Sequence, residues 1–188
     1  RISRVYGMYD FPADFMLCAA MNPCPCGHYP DMNRCRCTPA QVMQYLGRIS
    51  QPLLDRLDLC AEVSPVDFEG LSSGRKGEST QTIRERVICA QDIQRERYKI
   101  EGIQFNGELS GAQIEKYCKM EKDARQLLKM AFQNMPFSAR AYHRILKVAR
   151  TIADMSRSAW LRPSSPSTAI RSLLIRANAD YRRRRTES

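Results

Sequence analysis

Ser138-Ala139-Arg140-Ala141-Tyr142-His143-Arg144-Ile145-Leu146-Lys147-Val148-Ala149-Arg150-Thr151-Ile152-Ala153-Asp154 carries the clearest periodicity in the chain. Tyr142, Ile145, Leu146, Ala149, Ile152 and Ala153 recur at three- and four-residue steps and trace one apolar helix face, with Arg140, Arg144, Lys147 and Arg150 off it. Ser138 is placed to cap the first turn, where its hydroxyl can accept from a backbone N–H that lacks an intrahelical partner. An amphipathic helix of this kind needs neighbours to cover its apolar side. Upstream, Ile83, Val87 and Ala90 recur at helix spacing after the cap candidates Ser79 and Thr80, and Leu127, Leu128 and Ala131 do so later. Residues 80–156 therefore read as an all-α bundle.

Towards the N-terminus the pattern changes. Phe15-Met16-Leu17-Cys18-Ala19-Ala20-Met21 is an unbroken apolar run stopped by Asn22-Pro23, as expected for a strand buried on both faces of a sheet. Thr38-Pro39 offers an N-cap and a first-turn proline for a short helix through Val42, Tyr45 and Leu46. Leu53-Leu54-Asp55-Arg56-Leu57-Asp58-Leu59 leads into Cys60-Ala61-Glu62-Val63, read as a second buried strand. Before all of these, Ile2, Val5 and Phe11 alternate weakly and Gly7 can supply a turn, which predicts a β-hairpin. Residues 1–66 thus have α/β character. Gly70, Ser72, Ser73, Gly74 and Gly77 mark residues 67–79 as a linker, and residues 157–188 read as a basic tail of low order, with at most one further amphipathic stretch over residues 169–177.

The 188 residues hold 30 Lys plus Arg against 20 Asp plus Glu, a formal charge of +10, which attracts polyanions such as nucleic acid. Part of the excess is the run at 182–185, whose plain reading is a solvated like-charge block. The longest apolar runs are too short to cross a bilayer and no leader-like segment is found, so a cytoplasmic protein without membrane contact is expected. Of eight cysteines, Cys24, Cys26, Cys35 and Cys37 crowd together, while Cys18, Cys60, Cys89 and Cys118 stand singly in apolar segments, where a small buried thiol is the default. Two Cys-x-Cys pairs can close a tetrahedral zinc site, although Cys-x-x-Cys is the commoner knuckle. Reduced or partly ligating cysteines and a disulfide are the alternatives. His28 beside Gly27 and His143 on the third helix read as a loop residue and a structural residue.

Several stretches taken together resemble the magnesium-chelatase-like AAA+ proteins of the ComM/YifB group: Ile2-Ser3-Arg4, Phe11-Pro12-Ala13, Ala20-Met21-Asn22-Pro23-Cys24-Pro25-Cys26-Gly27, Pro52-Leu53-Leu54-Asp55-Arg56-Leu57-Asp58-Leu59, and the helix quoted first. The order of these pieces also matches, and the resemblance runs to about Met155. The fold it implies is the C-terminal part of an AAA+ core carrying a cysteine-rich insert, followed by a helical lid. The family's phosphate loop, G-x-x-x-x-G-K-[ST], and its acidic strand motif would lie before residue 1; neither is found here, so this chain alone is not expected to hydrolyse ATP.

The resemblance implies roles. Asn22 takes the place of sensor 1, whose amide holds the attacking water; otherwise it is a polar strand end before a turn. Arg56 takes that of the arginine finger, which stabilises charge spread over phosphoryl oxygens across a subunit boundary; otherwise it is a surface ion-pair member. Arg140 takes that of sensor 2, and otherwise is a solvated cation. Ring helicases of the MCM type look like more distant relatives, and in them a hairpin before sensor 1 brings a basic residue to nucleic acid, the place held here by Arg4. The implied cofactors are ATP with Mg2+, the implied assembly is a homo-oligomeric, hexameric ring, and the implied work is DNA remodelling such as branch migration or unwinding. A metal-chelatase subunit acting on a partner protein, or an assembly module only, are the rival readings.

Overall fold

The computed structural model describes residues 1–13, 15–54, 56–63, 66, 68–74, 77–134, 138–162, 164 and 168. The expected stretch at 169–177, the basic run at 182–185 and Asp55 lie outside the described residues. The chain divides into two units, Arg1–Arg48 and Ile49–Ser188.

In the first unit, strands β1 (Ile2–Arg4) and β2 (Gly7–Tyr9) form an antiparallel hairpin with Ile2 opposite Tyr9 and Arg4 opposite Gly7. The turn is made by Val5 and Tyr6, so Gly7 opens the second strand instead of forming the turn. An exposed pair between Arg1 and Asp10, at 2.8 Å, closes the open end. Helix α1 (Pro39–Leu46) begins where expected: Thr38 Oγ1 accepts from the Gln41 backbone N–H, and Gln41 Oε1 accepts from that of Thr38, a reciprocal capping box. Val42 and Cys24 are the buried hydrophobic residues among those described in this unit.

The run at 15–21 corrects the sequence reading. It forms no strand among the described residues, and Phe15, Met16 and Leu17 are 72%, 92% and 53% exposed. A strand forms only when a neighbour takes up its backbone N–H and C=O groups, and none of the described residues does so. Cys18, expected to be buried within it, is exposed for the same reason. Among the described residues the second expected strand is likewise absent: Leu54 ends the short helix α2 (Gln51–Leu54), and Leu59 and Val63 lie exposed in irregular backbone.

The second unit is helical, as the bundle reading requires. After α2 come α3 (Phe68–Ser72), α4 (Thr80–Arg97), a 3-10 turn over Asn106–Glu108, α5 (Gly111–Tyr117), α6 (Lys122–Asn134) and α7 (Ala139–Met155). Ser79, Ser110 and Ser138 each cap their helix by accepting from the N3 backbone N–H. Helix α7 is the axis of the bundle and packs against α4, α5 and the 3-10 turn. Ile145, Leu146, Ala149 and Ala153 join Tyr98, Leu109, Ile114, Cys118, Leu128 and Leu161 in one core. Burying each large aliphatic side chain there contributes roughly 1.5–3 kcal/mol before conformational entropy is subtracted.

Two arginines expected off the apolar face are buried. Arg150 is 1% exposed and lies within the core, and Arg144, at 8%, is covered from the other side by the residue 57–58 segment. Arg150 is tolerated because it is fully partnered. Its Nε donates to Asp154 Oδ1 at 3.1 Å, its Nη1 to the Ala159 carbonyl at 2.7 Å and its Nη2 to the Ser158 carbonyl. Asp154, itself 1% exposed, also accepts from both terminal nitrogens of Arg97 and from Asn106 Nδ2. Asn106 is held by Tyr98, Thr151 and Gln94 in turn. No buried side-chain nitrogen or oxygen among the described residues lacks a partner. The chain then folds back past residue 157, where sequence reading begins the tail. Leu161 is fully buried, its N–H donates to the Lys119 carbonyl, and its own carbonyl accepts from Glu121.

Candidate functional site

In the first unit, two tight turns present the thiols. Gly27 N–H donates to the Cys24 carbonyl at 3.1 Å, and Gly27 adopts φ +82°, a conformation glycine reaches without steric cost. In the second turn, Asp31 accepts at its carbonyl from Arg34 and Cys35 and at its side chain from Asn33. These turns bring Cys24, Cys26, Cys35 and Cys37 together, all four sulfurs lying within 4.8 Å of one another. The Sγ separations are 3.3 Å for Cys24 and Cys26, 3.9 Å for Cys24 and Cys35, and 3.6 Å for Cys26 and Cys35.

These distances are far beyond the roughly 2.05 Å of a disulfide. They match the edge of a tetrahedron of sulfurs about 2.3 Å from a central zinc, roughly 3.8 Å. The four thiols could hold one metal ion. The electrostatics are uneven: backbone N–H groups of His28 and Arg36 draw the Cys26 thiol down to about 6. A backbone hydrogen bond from Cys26 pulls Cys37 the same way, but contact with the Cys26 sulfur and desolvation outweigh it and leave Cys37 at about 12.

Asn22 immediately precedes this loop and packs against it. A Cβ built on Gly27 would lie 3.8 Å from both Cγ and Nδ2 of Asn22. Arg4 is exposed on β1, beside the hairpin turn.

In the second unit, Arg140 is exposed in the first turn of α7, on a cleft of about 630 Å3 that it lines together with Asp58, His143, Arg144, Lys147 and Thr151. The residues recur every three or four positions along α7, so one helix face delivers them. Arg144 Nε pairs with Asp58 at 3.2 Å and its Nη1 donates to the Leu57 carbonyl at 3.1 Å, while Lys147 Nζ donates to the Gly107 carbonyl at 2.7 Å. Arg56 is exposed, its Nη1 donating to the Pro52 carbonyl at 2.7 Å, and it is not among the cleft-lining residues. Sequence reasoning named Arg140 and missed the rest of the cleft. The available signal was the 140, 143, 144, 147, 151 spacing; Asp58 joins from a distant segment that gave none.

Comparison with known proteins is consistent along the chain. Residues 1–71 match the model of "Magnesium chelatase, subunit ChlI" and residues 77–172 that of its C-terminal domain. The chain is 44% identical over 156 residues to the uncharacterized protein YifB of Salmonella typhimurium and 43% identical over 155 residues to the competence protein ComM of Haemophilus influenzae, with 82% of the chain covered in each case. It is 35% identical over 156 residues, 83% of the chain, to the uncharacterized protein Rv2897c of Mycobacterium tuberculosis. The chain spans about 30% of the length of these curated relatives. With both halves matched in order and relatives at 43–44% identity over most of the chain, the chain belongs to the magnesium-chelatase-like AAA+ family, in its ComM/YifB group.

Proposed function

We propose that the chain is the sensor, arginine-finger and lid part of an AAA+ ATPase that remodels DNA, working in a homo-oligomeric, hexameric ring in the cytoplasm. The observation that carries the reading is Arg140: it stands exposed in the first turn of α7, on a basic cleft, within the part matched by the family's C-terminal model. A guanidinium at a helix N-terminus is well placed for a phosphate, since the helix dipole and the cation act with the same sign. The domain division read from sequence, core elements over 1–66, linker over 67–79, lid over 80–156 and tail over 157–188, is kept except that we carry the lid on to Arg162, because Leu161 is buried in its core.

In this reading Asn22 orients the attacking water and Arg56, exposed and apart from the Arg140 cleft, reaches the nucleotide of a neighbouring subunit. Arg140 reads the γ-phosphate and moves the lid with the nucleotide state. Arg4, exposed beside a hairpin turn, contacts the DNA backbone. The cofactors are ATP with Mg2+, and zinc is the metal the four thiols suit. The name of the Haemophilus relative favours a competence-related setting. The family model's own name supplies the rival, a chelatase ATPase acting on a partner protein. Measuring ATP hydrolysis by the full-length protein with and without DNA decides between them: stimulation of several-fold is expected, and a rate indifferent to DNA of any structure rejects the DNA reading.

A further inference from the structure

We infer that Cys24, Cys26, Cys35 and Cys37 hold one zinc ion and that the loop this ion closes is what fixes the Asn22 side chain. The first half of this statement deepens the cofactor reading above; the second rests on the sensor role proposed for Asn22.

Three observations carry the metal. The donors are four sulfurs and nothing else, a set that selects zinc over Mg2+ or Ca2+. Their spacing, 3.3 to 3.9 Å for the three measured pairs, already approximates a tetrahedral edge, so binding requires shifts of only a few tenths of an ångström. Backbone support is also in place: Tyr29 N–H donates to Cys24 Sγ at 3.4 Å, an outer contact that orients a ligating sulfur. Coordination involves no electron transfer, and the thiol protons pass to solvent as the sulfurs bind.

The loop has little regular structure of its own to hold it. Among its described residues, Arg1–Arg48 buries only Cys24 and Val42 as hydrophobic side chains, and the residues between Cys26 and Thr38 form turns without a helix or strand. A bound metal commonly offsets the entropy of ordering a loop built of turns.

The link to Asn22 is steric. Cys26 is followed by Gly27, which faces the exposed Asn22 amide closely enough that a Cβ built there would touch it in ordinary van der Waals contact, at 3.8 Å from its Cγ and Nδ2. Pro23 alone separates Asn22 from the first ligand, Cys24. Once the sulfurs are fixed, the backbone on both sides of that amide is fixed as well.

The test uses untagged protein prepared under reducing conditions, with zinc alone and cobalt(II) alone as probes. Expected results are close to one zinc per chain, tetrahedral thiolate bands on cobalt substitution, and at least tenfold weaker zinc binding in Cys26→Ser, the exposed ligand whose replacement disturbs packing least. Zinc near zero, or iron in its place, overturns the metal assignment. In 15N spectra, the Asn22 side-chain amide signals, identified by their loss in Asn22→Ala, should shift on zinc removal and return on its restoration, while signals of α7 stay in place. Unmoved Asn22 signals in a zinc-binding protein overturn the positioning role and leave the metal standing. In the full-length protein, zinc removal should lower kcat at least tenfold with KM for ATP changed less than about twofold, and should cause no further fall in Asn22→Ala. A further fall there also rejects positioning through Asn22. A zinc-responsive Asn22 in a protein without ATPase activity instead rejects the ATPase reading and keeps the clamp.

Discussion

Replacing Asp154 by Asn tests the packing of the lid most directly. The carboxylate is buried and accepts from Arg97, Arg150 and Asn106. Asparagine keeps the size but removes the charge, and its amide turns a donor towards groups that are themselves donors. Breaking a buried ion pair by removing one partner costs about 3–5 kcal/mol, because the surviving charge stays desolvated. Here Arg97 is 19% exposed at its side chain and Arg150 keeps its two carbonyl acceptors, so the lower end, about 3 kcal/mol, is the better figure. For a cooperative unit of under about 100 residues this corresponds to a fall in Tm of roughly 12–24 °C. Circular dichroism at 222 nm during heating and urea unfolding would measure it. A double replacement, Arg150→Met with Asp154→Leu, should recover little of the loss, since Arg97 and Asn106 still lack the carboxylate and the Ser158 and Ala159 carbonyls lose their donor. An Asp154→Asn protein melting within about 2 °C of wild type would refute the reasoning.

Glu101 sets an acid limb of stability. Hydrogen bonds from Lys116, Tyr117 and Gln113 hold its carboxyl down at about 2, so its contribution is complete above the ordinary value of 4.5 and is lost as pH falls towards 2. Urea midpoints should drop across that window, and Glu101→Gln should flatten the drop; identical profiles would discard the assignment. Arg56→Ala in the full-length protein should cut ATP hydrolysis about 10³-fold or more with nucleotide binding retained. In mixed rings, an Arg56→Ala subunit that no intact neighbour can rescue would show that the arginine does not act across the interface. Arg4→Ala should weaken DNA binding about equally for all sequences and lower the salt slope by roughly one ion; a salt series showing unchanged affinity and slope removes Arg4 from the DNA path.

What could be read from sequence was what is local. Thr38, Ser79 and Ser138 were legible as caps because a hydroxyl followed by a helical pattern specifies its own neighbour three residues on. The hairpin and the cysteine cluster were legible for the same reason, though the turn falls at Val5 and Tyr6 and not at Gly7. The runs at 15–21 and 59–63 misled because apolar continuity reports what a segment would bury, and a strand also needs a partner for its backbone, which none of the described residues supplies. Arg150 misled differently. Its spacing four residues before Asp154 was visible, but its other partners, at residues 158 and 159, and Arg97 beyond Asp154, depend on tertiary packing. Asp58 on the Arg140 cleft was illegible for that reason too.

The return of the chain after α7 bears on how the lid can be cut or fused. A fragment ending at Met155 would look complete by helix boundaries, yet it would strip Arg150 of the Ser158 and Ala159 carbonyls and empty the place of Leu161. Removing a buried leucine alone costs about 2–5 kcal/mol, a large share of the stability of a domain this size. Any excised lid, label or fusion partner therefore belongs beyond Arg162.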